Sequence, residues 1–208
     1  MKITKNDLQK INHLIKEAES KTSGEIVPVI LTKSDDYLYT HYLCALLFTF
    51  IGTFIITNGS ATKLPSPPII LITIMAITGY IIPFHPYIKR LLLTKKEIEE
   101  EVNQKALQTF FSNKLHHTKD ATGILIFISI LERRVQILGD HGINKKVDQA
   151  FWDDEVNKLS KSIKNNQIVE GLSQVISILG DKLSEHFPVQ PNDTDELKND
   201  LVTDLKIE

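Results

Sequence analysis

The stretch that decides the fold is GILIFISILERRVQILGDHGIN, residues 123–144. Gly123–Ile130 is a continuous apolar run rich in β-branched residues. Such a run, short and unbroken by polar positions, predicts a central strand buried on both faces. Only Leu131-Glu132 separates it from Arg133–Leu138. A link that short predicts an antiparallel hairpin. Gly139–Asn144 then predicts a turn.

Working outward toward the N-terminus, Glu25–Thr32 (EIVPVILT) reads as a second strand, with Thr22–Gly24 as the turn before it. Asn6–Ser20 carries Leu8, Ile11, Leu14, Ile15 and Ala18 at helical spacing. Upstream of the central strand, Thr94-Lys95-Lys96-Glu97 fits a capping box, followed by Ile98, Val102, Ala106 and Phe110 at steps of four. That helix is predicted to run to about Leu115. Downstream, Lys145–Lys164 and Gln167–His186 read as two amphipathic helices, broken at Asn165-Asn166 and stopped by Pro188 and Pro191. The strands Glu25–Thr32 and Gly123–Ile130, joined by a crossover, are predicted to be parallel.

The crossover contains two apolar stretches. Tyr37–Thr62 is 26 residues without Asp, Glu, Lys or Arg, and Leu64–Ile88 is another 25. About 20 apolar residues suffice to cross a bilayer as a helix. Tyr37, Tyr39 and Tyr42 flank the first stretch, and Tyr80 and Tyr87 the second; Tyr favours the membrane–water boundary. A buried hairpin in a soluble core is the competing reading, but neither stretch shows a polar face. Pro83 and Pro86 predict a bend or early end of the second span. The link between the spans carries only Lys63, whereas Lys89, Arg90, Lys95 and Lys96 follow the second. Positive charge stays on the cytoplasmic side. The expectation is an integral protein of the inner or plasma membrane, with the soluble domain and both termini cytoplasmic.

The predicted fold class is therefore α/β: a compact mixed-sheet sandwich with helices on both faces, interrupted by a two-helix transmembrane hairpin. Residues 1–37 and 89–188 form the split domain, 38–88 the hairpin, and 189–208 an acidic tail, expected to lie on a surface or move freely. The tail's net charge is −4, from six acids and two lysines.

The whole chain has 208 residues and a formal charge of −2, so no basic excess points to nucleic acid. The single cysteine, Cys44, excludes an internal disulfide and a Cys-rich zinc site. No Walker loop, Rossmann glycine fingerprint, nucleophile elbow or HExxH sequence occurs.

The topology gathers candidate residues at one sheet edge. Glu25, Asp120, Thr122, Asp140, His141 and Gly142 converge where two strands begin and the third ends. Glu25, Asp120 and Asp140 supply oxygens suited to a hard cation, Ca2+ or Mg2+. Such an ion activates water for phosphate-ester hydrolysis, with Asp140 and His141 as the catalytic pair. A plainer reading stands beside it: Glu25 caps a turn, and Asp140 serves the turn at Gly142. The opposite edge holds Arg133 and Arg134, which with Lys89 and Arg90 form a basic, membrane-proximal set able to meet anionic lipid. His116-His117 ends a helix and is expected to face its negative terminus. Asp153-Asp154-Glu155 is expected to be a solvated face, and Trp152 beside Phe151 core or a partner surface.

Several segments carry a family resemblance. They are Glu19–Val27 (ESKTSGEIV), Thr122–Ser129 (TGILIFIS) and Glu132–Ile143 (ERRVQILGDHGI), with His186-Phe187-Pro188, Pro191-Asn192-Asp193 and Glu196-Leu197 at the end. Together they resemble the TPM-domain family, in its bacterial membrane-inserted subgroup. The resemblance implies a compact α/β sandwich. It also implies the activities associated with relatives: acid phosphatase activity and calcium binding in a plant lumenal protein, and assistance to an acetylcholine receptor in a nematode one. A cytoplasmic domain meets little free calcium, so a weak calcium site there would stay empty. Two functions follow as expectations. One is a membrane-anchored interaction or assembly module for another membrane protein. The other is a divalent-cation-dependent phosphatase acting on phosphate monoesters.

Overall fold

The computed structural model describes residues 3–58, 68–189, 196–197 and 200–207. The Lys63 link between the apolar stretches lies outside these, as do Pro191, Asn192 and Asp193. The chain divides into two compact units, residues 1–34 with 100–208, and residues 35–99.

The first unit is a four-stranded mixed sheet with helices on both faces. Its strands are β1 (Glu25–Leu31), β2 (Gly123–Ser129), β3 (Arg134–Gly139) and β4 (Val202–Thr203), in the order β3-β2-β1-β4. β1 and β2 are parallel from Glu25↔Gly123 to Leu31↔Ser129, and β3 runs back along β2. β2 is buried at every position, as its apolar run predicts. Alternate residues point to opposite faces. Ile26, Ile30, Ile124, Ile126 and Ile128 join one core with α1 (Lys5–Glu19), α7 (Gln149–Lys164) and α8 (Ile168–His186). Val27, Val29, Leu125 and Phe127, on the other face, are buried too. So are Val102, Ala106 and Phe110 of α5 (Lys95–Ser112), whose Asn103 hydrogen-bonds Gln136 of β3.

Helix α5 is capped as the sequence predicts, and α1 starts in the same way. Thr4 and Asp7 form a reciprocal capping box on α1, and Thr94 and Glu97 exchange the same bonds at α5. In both boxes the threonine's hydroxyl and amide hold the carboxyl below its ordinary pKa.

Four boundaries differ from expectation. The β2–β3 link is four residues, Ile130–Arg133, because Arg133 takes a left-handed φ of 52° and turns the chain before pairing resumes. The turn at Gly139–Asn144 contains a short helix, α6 (His141–Asn144), and α7 starts at Gln149 behind Asp148 rather than at Lys145. Helix α5 stops at Ser112; left-handed Lys114 separates it from a 3-10 turn at Leu115–His117. Finally, the acidic tail is not loose where described: it supplies β4, and Leu201 is buried. β1 is thus an inner strand.

The second unit holds α2 (Leu38–Asn58), α3 (Pro68–Ile81) and α4 (Pro86–Leu92). α2 is long and apolar enough to cross a membrane. The second stretch is not one straight helix. It passes the same test only as a pair bent by 97° around the Pro83–Pro86 region, where proline removes helix donors. α2 and α3 run antiparallel at close range. A Cβ on Gly79 would meet the Cys44 carbonyl oxygen at 2.5 Å, so only glycine admits this approach. His41 Nδ1 lies 2.8 Å from the Tyr80 carbonyl oxygen. Lys89 is buried, and its ammonium donates to the Asp36 carbonyl.

Candidate functional site

At the edge where β1 and β2 begin, the structure brings the predicted segments together, but through backbone. Asp140 N–H donates to the Gly123 carbonyl (2.8 Å), and Gly142 N–H to the Ala121 carbonyl (3.1 Å). A Cβ on Gly142 would sit 2.4 Å from the Asp120 oxygen, and one on Gly123 2.4 Å from the Leu115 oxygen. Both glycines are there because main chain packs on main chain. Ala121 pays a steric cost in the same turn, with φ 53°.

The side chains divide. Thr122 is buried and donates from its hydroxyl to the Ser23 carbonyl at 3.0 Å. Glu25 is buried and its Oε1 accepts from Glu196 N–H at 3.2 Å, so it holds the tail. Asp120 and His141 are exposed. Asp140 caps α6, accepting from His141 N–H at 2.6 Å through Oδ1; its Oδ2 is shielded and has no hydrogen-bond partner among the described residues. Among the described residues, no group of three or more His, Cys, Asp or Glu side chains is arranged to hold a metal ion. Glu25 and Asp140 each hold a backbone N–H, of Glu196 and of His141, while Asp120 faces solvent.

The opposite ends of the same strands hold a polar cluster that sequence reading passes over. Glu132 is 1% exposed. Its Oε1 accepts from Ser34 N–H at 2.9 Å, its Oε2 accepts from the Ser129 hydroxyl, and the two serine hydroxyls join at 3.0 Å. Just outside, Asp204 accepts from both the N–H and the hydroxyl of Thr32, each at 2.7 Å. The signal was present: the parallel register carries Ser34 and Ser129 to the same end of the sheet. Arg133 and Arg134 are exposed beside this cluster, whereas Lys89 of the other unit is turned inward.

The remaining candidates are structural. Trp152 is buried core, with a shielded indole N–H that finds no acceptor among the described residues. Glu155 corrects the solvated-face expectation. It is 1% exposed and pairs with Lys158 at 2.8 Å, while Asp154 takes the same ammonium at 2.6 Å. These two carboxylates, Asp154 first, push the Lys158 ammonium above its ordinary pKa. His116 and His117 stack edge to face at 4.1 Å in the 3-10 turn, both exposed.

A mixed four-stranded sheet covered by helices, with its first strand separated from the rest by an apolar hairpin, defines an α/β sandwich with an insertion. Residues 88–182 match the model for the TPM domain. β1 lies outside that range, yet it pairs with β2 along its whole length. The fold is similar to that in the NMR structure of BA42 protein from the psychrophilic bacterium Bizionia argentinensis. That likeness has a TM-score of 0.60 at 21% identity, covering 97% of this chain and 94% of that one. No curated protein matches the sequence.

Proposed function

We propose that this chain is a membrane-anchored TPM-domain protein that serves as a cytoplasmic-side interaction or assembly module for another membrane protein. The observation that carries the reading is the exposure of the hairpin's apolar side chains. Leu46 is 69% exposed and Phe50 70%, with Phe54, Ile69, Ile74 and Ile77 also open. A soluble core helix would bury these; contiguous apolar surface of this kind calls for lipid or protein around it. The cations Lys95 and Lys96 after the second stretch support the cytoplasmic side for the domain. Exposed Arg133 and Arg134 suit the anionic inner leaflet.

Purification of the full chain from its own membranes in mild detergent, after brief crosslinking, tests the assembly role. One reproducible membrane-protein partner is the expected result. Recovery of the chain alone, with phosphate-monoester hydrolysis that needs Ca2+ or Mg2+ and disappears in Asp140→Ala, would make it the phosphatase instead.

A further inference from the structure

The outer edge of β1 is closed in an unusual way. Ile26 N–H donates to the Glu19 carboxylate at 2.8 Å, so the even-numbered donors of β1 point away from β2. Pro28 has no donor to offer. Ile30 lies in the two-residue ladder with β4, and Thr32 N–H is taken by Asp204. Every outward donor is thus removed or satisfied, but at Ile30 and Thr32 only by the C-terminal segment.

That segment binds the way an extended peptide ligand binds. Leu201 fills a buried position, and its N–H donates to Asn12 Oδ1 at 3.0 Å. Asn12 Nδ2 donates in turn to Asp200 at 2.8 Å. Three residues past Leu201, Asp204 grips Thr32 with both carboxylate oxygens. Leu205 packs on the core. Main-chain pairing supplies little here, because β4 is two residues long; the side-chain anchors supply the rest.

We propose that the outer edge of β1 is a docking site for an extended, acidic segment of a partner protein with the pattern Asp-Leu-x-x-Asp, added parallel to β1, and that residues 200–205 occupy it in cis. This rests on the interaction-module reading and specifies its surface. Thr32 and Asn12 read the two acids, and the pocket under Leu201 reads the leucine. A tethered competitor acts at an effective concentration on the order of millimolar, so the partner's segment binds when it exceeds that or when the tail is released.

The test uses the full chain in detergent and a chain ending at residue 195, with a fluorescent peptide ELKNDLVTDLKIE, the sequence of residues 196–208. Fluorescence anisotropy is expected to show saturable binding to the shortened chain and at least tenfold weaker binding to the full chain. Peptides with the Leu201→Ala or Asp204→Ala change should bind the shortened chain at least tenfold more weakly. Full-chain Asp204→Ala, which keeps the tail in place covalently, should gain peptide binding over wild type. A folded shortened chain that ignores the peptide overturns the proposal. If the shortened chain does not fold, no gain in full-chain Asp204→Ala overturns it. A native partner recovered without peptide binding rejects this edge alone. Peptide binding with no native partner rejects the assembly role and leaves the edge.

Discussion

The two ends of the β1–β2 pair are made from similar residues and are held in opposite ways. Where the strands begin, glycines let backbone press on backbone, and the carboxylates of Asp120 and Asp140 lie at the rim. Where they finish, a buried carboxylate, Glu132, binds two serines, and Asp204 closes the strand edge from outside. Sequence neighbours of a turn do not make a site by convergence alone. Buried polar groups must be satisfied, and Glu132 meets that demand at the far end as Thr122 and Glu25 do at the near one.

If this contrast holds, the far end is the costlier one to disturb. Glu132→Ala strips an acceptor from the Ser34 N–H and the Ser129 hydroxyl. At roughly 1–3 kcal/mol for each orphaned buried donor, the loss should be about 3 kcal/mol in denaturant unfolding. Glu132→Gln should recover part of it. A change under 0.5 kcal/mol for Glu132→Ala would break the comparison.

At the near end, Gly142→Ala places a methyl group against the Asp120 and Ala121 carbonyls. Overpacking of this kind costs about 2 kcal/mol, and here the obstacle is main chain that cannot step aside. A neutral result would mean the turn at 118–121 is softer than its left-handed Ala121 implies. Smaller effects are expected away from both ends. Thr4→Ala removes the α1 cap at about 1 kcal/mol. The Asp7 carboxyl in that box has a lowered pKa, so its contribution is present above the ordinary carboxylate range and fades as pH falls through the folded-state value. Amide exchange at the start of α1 should therefore rise in acid. The smallest effect belongs to exposed Asp120→Ala, within about 0.5 kcal/mol. If Asp120→Ala instead costs as much as Gly142→Ala, the rim carboxylates do more than the structure assigns to them.

Much of this fold was legible in the sequence. The unbroken apolar run at 123–130 and the capping residue Thr94 are local signals, and local physics decides them. Pro83 and Pro86 announced the bend after α3 for the same reason. The docking of the tail was not legible because composition dominates its reading: six acids outweigh the few apolar residues that place Leu201 in the core. Its partners, Asn12 and Thr32, lie more than 170 residues away in sequence. No periodicity reveals such pairing. Glu132 was hidden for a related reason. Beside two arginines it looks like one more surface charge, and only the register of β1 on β2 brings Ser34 to it. The candidate edge was placed correctly as a meeting of segments, while its chemistry depended on which side chains turn inward.

Membrane insertion of the hairpin is measured most directly by alkaline carbonate extraction of membranes holding the full chain, beside a chain in which a short flexible linker replaces residues 38–88. The full chain should stay with the lipid pellet, and the linker variant should be released, folded, into the supernatant. Release of the full chain as a folded soluble protein would contradict it, because the exposed apolar face of α2 would then need a covering other than a bilayer.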